Sequence, residues 1–295
     1  MISASTVALW LLIGESKIES SKDPGPVVPK GTLPRVTKRP GNIKGNVLIL
    51  MYHKVGDKEA NMVRSRDNFK KDLARLYKMG YRPVTLEEYA NRKIKLPVGA
   101  SPVVITFDDS HESQFSYLPD GSINPKSAVG IWYSFAKKHS DFPVKGTWFV
   151  LPNGPFGQKG LGKKKLEWLD AQGSEIASHT LTHRPLNKIS DYEVTKELGG
   201  SYRYLLSLGY TPKSMALPYG ILPKNRELLK SVIFEGRTYA YQNIVLAGSD
   251  PAPSPYSANL RRLRISRVKA YEGPLGVTFW LNRVSNGKIK PFVQP

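Results

Sequence analysis

The chain has 295 residues, enough for one large α/β domain or two small ones with a real core. Its 44 Lys and Arg against 24 Asp and Glu leave a net charge of +20, which suits polyanionic surroundings. It has no cysteine, which excludes disulfides and thiolate metal sites.

The basic residues are scattered, with short clusters only at Lys163-Lys164-Lys165 and Arg261-Arg262. No recognition helix, RNA-binding signature or zinc-finger spacing accompanies them. The charge therefore reads as a coat for anionic cell-wall polymers, and no nucleic acid is expected as partner. A basic nucleic-acid-binding protein stays as the weaker reading, with salt-sensitive binding as its signature.

The start, MISASTVALWLLIGES, holds an apolar stretch from Val7 to Ile13. It is too short to span a membrane and lacks the positive flank of a complete export signal. A disordered or docking start and a trimmed export signal both fit it. Residues 16–44, rich in Lys, Ser, Pro and Gly, read as a semi-extended tether. Residues 1–44 are thus set apart, as a candidate membrane or envelope tether, from a folded domain over 45–295.

From Asn46 onward strands and helices alternate. The apolar run 47–51 predicts a buried strand, and residues 68–79, with Phe69, Leu73, Leu76 and Tyr77 on one face, a helix stopped by Gly80. Thr85-Leu86-Glu87-Glu88 is a capping box that opens a second helix. Strands follow at 103–107, 146–150, 175–178, 214–217, 238–246 and 263–268. Between and after them, helices are expected at 128–138, 164–171, 191–208, 224–234 and 275–284, the third of these weakened at Gly199-Gly200. Alternating units of this kind make a parallel sheet, open or closed into a barrel.

In either architecture functional groups collect at the C-terminal ends of strands. Four such ends carry unusual polar residues: Met51-Tyr52-His53, Thr106-Phe107-Asp108-Asp109, the stretch from Ser178 to His183, and Leu217-Pro218-Tyr219-Gly220. Three of the five histidines fall in this set. His179 and His183, four apart, can pinch one metal between two imidazoles, though two capping histidines would give the same spacing. An aspartate from a neighbouring strand end completes three protein ligands with one open position, the arrangement of a catalytic zinc. Imidazole plus carboxylate without thiolate suits Zn²⁺, or Co²⁺ or Ni²⁺. Of two adjacent aspartates, one can hold the ion and the other accept a proton from the water it activates.

TFDD followed by a small residue, then HTLTH, then PYG, resembles the polysaccharide deacetylases, the NodB-like family-four carbohydrate esterases, over about residues 46–285. The resemblance implies a distorted (β/α) barrel of about seven strands. It also implies removal of acetyl groups from N-acetylglucosamine polymers or, less often, from acetylated xylan. By the same resemblance Asp108 is the general base, and Asp109, His179 and His183 hold the metal. The backbone N–H of Tyr219 donates to the oxyanion.

Two departures stand out. The family's third motif begins with an arginine that orients the base, where this chain has Ala216; Arg264 and Arg267 are the candidates to replace it. The family's acid histidine lies near the C-terminus, yet no histidine follows His183. An apolar strand ending in histidine lies instead at 47–53, an order that resembles the circularly permuted branch acting on extracellular poly-N-acetylglucosamine. His53 is then the general acid, with Met51 beside the acetyl methyl.

His111 reads as a rim residue, the insertion from His111 to Lys126 as a cleft wall or a solvated loop, and His139 as a helix-end charge. Trp132, Tyr117 and Tyr241 are candidates to stack on sugar, with core packing as the alternative. The expected protein is a secreted or surface-associated bacterial, metal-dependent deacetylase of an acetylated glucosamine polysaccharide. A non-catalytic glycan binder on the same barrel is the alternative, and the missing arginine is its support.

Overall fold

The computed structural model describes Val36 and residues 39–295; the apolar stretch from Val7 to Ile13 and most of the expected tether lie outside them. In chain order the elements are β1 (Leu48–Tyr52), β2 (Lys54–Gly56), β3 (Val63–Ser65), α1 (Arg66–Lys78), β4 (Tyr81–Val84), α2 (Leu86–Ala90), β5 (Ser101–Phe107) and α3 (Ala128–Lys138). Then come β6 (Thr147–Val150), α4 (Gly162–Ala171), β7 (Glu175–Ser178), α5 (Asp191–Ser207) and β8 (Ser214–Ala216). The last are β9 (Val232–Phe234), β10 (Arg237–Tyr239), β11 (Asn243–Val245), β12 (Val268–Lys269) and α6 (Val277–Ser285).

The large sheet is parallel throughout, in the order β11-β8-β7-β6-β5-β1-β12, with β4 beside the first half of β5. Its two edges meet in one segment: Ile265 bridges Val245 of β11, and three residues later Val268 pairs with Leu50 of β1. The sheet therefore curls into the distorted seven-strand (β/α) barrel that the sequence leads one to expect. Serving both edges leaves the segment 263–268 only a bridge and the two-residue β12 in place of a full strand.

Strand periodicity divides the core in two. Leu48, Leu50 and Tyr52 of β1 and Val103, Ile105 and Phe107 of β5 face outward and pack under α1 and α3 with Phe69, Leu73, Trp132 and Phe142. The alternate residues Val47, Ile49, Val104, Phe149, Ala177, Ala216, Val245 and Ile265 fill the interior. Leu86 and Tyr89 of α2 pack into that same interior cluster.

Two expectations fail between 224 and 239. The helix over 224–234 is a single 3₁₀ turn, Arg226–Leu229, followed by the antiparallel hairpin of β9 and β10, and the strand over 238–246 is divided between β10 and β11. Phe234 pairs with Arg237 across Glu235-Gly236, whose φ values of 47° and 72° are those of a tight two-residue hairpin turn. That turn outweighed the helical spacing of Leu228, Leu229 and Val232. α5 is also not interrupted at its glycines. A Cβ on Gly199 would lie 2.4 Å from the Phe234 Cβ, so glycine is there to let the hairpin seat. β4 went unforeseen because Pro83 argues against a strand; β4 tolerates it by pairing on one side only.

Candidate active site

The interior phase of the strands continues past their ends and builds the site. Ile49 and Met51 lead to His53, Val104 and Thr106 to Asp108, Ala177 to His179, and Ile265 to Arg267. Because Tyr52 pairs with Phe107, the next residues, His53 and Asp108, emerge side by side, and the Asp108 N–H donates to the Tyr52 carbonyl at 2.9 Å. His179 follows Ser178, whose register partner is Val150, and its N–H donates to the Val150 carbonyl.

Asp109 would point away from the interior if the strand continued. A left-handed backbone, φ 73°, turns it back, and aspartate is among the residues that adopt this region most readily. Thr180, His183 and Tyr219 are left-handed as well, with φ of 67°, 59° and 58°. Such strained residues gather where a site over-determines them.

Asp108 is buried, and its partner is Arg267, which is fully buried. The guanidinium donates from Nη1 to Oδ1 at 2.6 Å and from Nη2 to Oδ2 at 2.7 Å. It is held in turn by the Leu246 carbonyl and by Thr106 Oγ1, each at 3.0 Å. Asp108 thus has an orienting arginine, delivered by the last barrel strand, although the motif position holds Ala216. Arg264, the other candidate, is exposed. Ala216 contributes its carbonyl instead, accepting from His179 Nδ1 at 2.9 Å. A carbonyl can only accept, so Nδ1 carries the proton and the Nε2 lone pair faces inward.

Asp109 Oδ1 lies 3.3 Å from His179 Nε2 and 3.4 Å from His183 Nε2. One ligand atom from each of these residues lies within 4.8 Å of the other two. Asp109 Oδ1 and His179 Nε2 are buried and satisfied by no hydrogen bond. Two buried acceptors aimed at one point are what a cation would satisfy, and the His₂–carboxylate set fits a divalent transition ion. His53 Nε2 lies 3.8 Å from Asp108 Oδ2.

The electrostatics agree. Burial pushes the Asp108 carboxyl up, but the Arg267 charge, the nearby imidazoles and the Arg267 hydrogen bonds outweigh it and hold the group well below the usual carboxylate range. Burial pushes His179 down, yet Asp108 and Asp109 hold it above its ordinary value. His53 and His183 are lowered, chiefly by burial.

Tyr219 sits in the 3₁₀ turn Pro218–Gly220 at the rim, its ring 4.8 Å from that of His183. The turn's own bonds run from Gly220 N–H to Leu217 and from Ile221 N–H to Pro218, and the Tyr219 N–H is not one of them. Gly220, φ 69°, lies against Ala247, where a Cβ would come within 2.5 Å of the backbone nitrogen. All these groups line one cavity of about 540 Å³, with Met51, Lys54, Asn61, Met62 and Lys269 as its other walls.

The remaining candidates fall elsewhere. His111 bonds to its own turn at Ser113, and no residue of the insertion 111–126 lines the cavity. Phe115 and Tyr117 are buried and pack with Phe156 and Trp168 in the outer layer, which draws the insertion away from the cleft; the β2–β3 connection forms that wall instead. Trp132, Tyr117 and Tyr241 are core residues. His139 caps α3 and packs on Tyr77 and Phe135.

Sequence reasoning missed two supporting residues. Gln114, fully buried, donates to the carbonyls of both His53 and Asp108. Glu197 of α5 accepts from the loop between the two histidines. Glu197 was detectable in principle, as a charge on the α5 face that carries Val194, Leu198 and Leu205.

Residues 95–236 match the polysaccharide deacetylase family profile, a span that includes both aspartates, both paired histidines and Tyr219 but not His53 or Arg267. No curated protein compared with the chain matches it. Among solved structures, a Streptococcus pyogenes deacetylase, PplD, in complex with acetate, aligns with TM-score 0.60 and 20% identity, over 85% of this chain and 100% of that one. A polysaccharide deacetylase from Bacillus cereus gives 0.60 and 22%, over 82% and 69%. A de-N-acetylase from Aggregatibacter actinomycetemcomitans gives 0.54 and 16%, over 80% and 99%. At these identities the likeness establishes the fold.

Proposed function

The chain carries a polysaccharide deacetylase domain, and from that premise we propose that it hydrolyses the acetamide of N-acetylglucosamine units in a bacterial wall or matrix glycan, with a divalent cation at Asp109, His179 and His183. The observation that supports this most is the division of labour between two adjacent carboxylates: Asp108 clamped by Arg267, Asp109 aimed at two imidazoles. A cation in that set, Zn²⁺ first and Co²⁺ or Ni²⁺ after it, would supply Lewis acidity to the attacking water and the acetyl carbonyl.

Asp108, kept ionised by Arg267, accepts the proton of the attacking water. The Tyr219 N–H donates to the carbonyl oxygen as it gains charge. His53, which lines the same cavity, gives a proton to the nitrogen as the C–N bond breaks, leaving a free amine and acetate. Met51, which lines the same cavity as His53, fits beside the acetyl methyl.

The acid on the first strand and the arginine on the last support a circularly permuted order. Asn46 bridges Pro291 and Asn42 bridges Val293, so the lead into β1 and the segment after α6 lie together, as a permuted barrel needs. The basic coat supports attraction to anionic wall polymers and a secreted or surface location. The glycan-binder alternative rested on the missing arginine, and Arg267 removes that support.

The test is acetate release by Zn²⁺- or Co²⁺-loaded protein from chito-oligosaccharides, poly-N-acetylglucosamine, peptidoglycan and acetylated xylan. Release from at least one glucosamine polymer is expected, and loaded protein that releases none from any of them refutes the proposal. His53→Ala should lower kcat by about 10²–10⁴-fold; full activity would remove His53 from the mechanism but not the metal site.

A further inference from the structure

Glu197 is a carboxylate 4% exposed, and among the described residues no Lys, Arg or His pairs with it. Burying an uncompensated charge is expensive, so hydrogen bonds must compensate it. Those bonds all come from one place. The N–H groups of Leu181 and Thr182 donate to Oε2 at 3.0 and 2.8 Å, and the Thr182 hydroxyl donates to Oε1. Leu181 and Thr182 lie midway between His179 and His183.

The loop they belong to needs holding. Thr180 and His183 are both left-handed, and the loop's internal bonds are long: Thr180 N–H to Ser178 Oγ at 3.2 Å and His183 N–H to Thr180 Oγ1 at 3.3 Å. α5 presents Glu197 rigidly, because its first turn is locked by the Ser190–Glu193 capping box. One turn along, Gly200 leaves room for Leu181, whose Cδ2 would be 2.9 Å from a Cβ there. The side chain of Leu181 is thus seated on the helix that receives its N–H.

We propose that Glu197 is a positioning residue that sets the bite of His179 and His183 on the cation, a role that rests on the metal reading above. Without it two N–H groups lose their acceptor, and the loop is free to relax the spacing that puts both Nε2 atoms within 3.4 Å of Asp109 Oδ1. Groups that orient metal-ligating histidines from outside the ligand shell contribute about 10–100-fold in metal affinity.

The experiment titrates Co²⁺ into metal-free wild type, Glu197→Gln, Glu197→Leu and Thr182→Val, reading the dissociation constant and the visible absorption of bound cobalt. Glutamine can accept both N–H groups at Oε1 and donate from Nε2 to the Thr182 hydroxyl. Glu197→Gln should therefore keep the wild-type cobalt spectrum and lose only a few-fold in affinity. Glu197→Leu should lose about 10–100-fold with an altered spectrum. Should that variant fail to fold, Thr182→Val removes one of the three bonds from an exposed residue, and should weaken cobalt a few-fold in a protein that still folds. Wild-type affinity and spectrum in Glu197→Leu, or in Thr182→Val, would overturn the proposal. So would Glu197→Gln binding as weakly as Glu197→Leu, since charge and not the bonding pattern would then be what matters. Wild type that takes up no cation would overturn the metal reading itself and this inference with it.

Discussion

Asp108 and Arg267 show what a residue can and cannot announce. The adjacent aspartates at the end of an apolar strand were legible because no folding reason requires two carboxylates there. Their expected roles came from resemblance; in the structure Asp108 keeps the strand's interior phase, and Asp109 leaves it through a positive φ. The partner of Asp108 could be narrowed to two arginines by sequence and no further, because choosing between them requires knowing that β12 lies beside β1. Arg267→Met should destabilise the fold by about 3–5 kcal/mol in denaturant unfolding, the usual cost of stranding half of a buried ion pair. Burial of Asp108 is then opposed only by the nearby imidazoles, and its pKa rises. Since the base must be ionised, the acidic limb of kcat/KM should move to higher pH. Arg267→Lys keeps the charge but not the fork, so it should lower kcat with a much smaller shift of that limb.

At the level of elements, strands and helices with clear periodicity were legible and turn chemistry was not. The hairpin of β9 and β10 was hidden because Leu228, Leu229 and Val232 mimic a helical stripe, while Glu235-Gly236 is a weaker turn signal than Asn-Gly. The glycines of α5 read as a weakness, although they are contact points. Helix propensity alone would favour alanine by about 1 kcal/mol at either. At Gly199 the obstacle is the Phe234 Cβ at 2.4 Å, at Gly200 only the end of Leu181 at 2.9 Å. Gly199→Ala should therefore lower the melting temperature clearly and Gly200→Ala much less; the reverse order would show that the hairpin is not seated as described.

The opposite end of the barrel carries its own pH dependence. Glu175, at the start of β7, has its carboxyl raised from 4.5 to about 7, by burial that outweighs hydrogen bonds from Ser214, the Glu87 N–H and Thr147. The folded state therefore favours the neutral form. The contribution of this group is fully present below about pH 4.5 and is lost as pH rises through about 7. Glu175→Gln, read by denaturant unfolding, should gain stability relative to wild type between about pH 5 and pH 8, and a constant difference would contradict the assignment.

For the whole molecule, the alternation of units foretold the parallel barrel, and its closure could not be read because one short segment serves two edges. The proposed permuted order was read from the missing C-terminal histidine and the strand that ends in His53; the pairing of 42–46 with 291–293 is consistent with it. The net charge of +20 predicts retention on anionic wall polymers that weakens steeply between low and physiological salt. The account's central claim is that two neighbouring carboxylates do separate work, Asp109 holding a cation and Asp108 moving a proton. The most direct measurement compares cation stoichiometry with acetate release from N-acetylglucosamine oligomers in wild type and Asp108→Asn. The account predicts equal cation binding in both and acetate from wild type alone; acetate release undiminished in Asp108→Asn, or loss of the cation from it, would contradict the division.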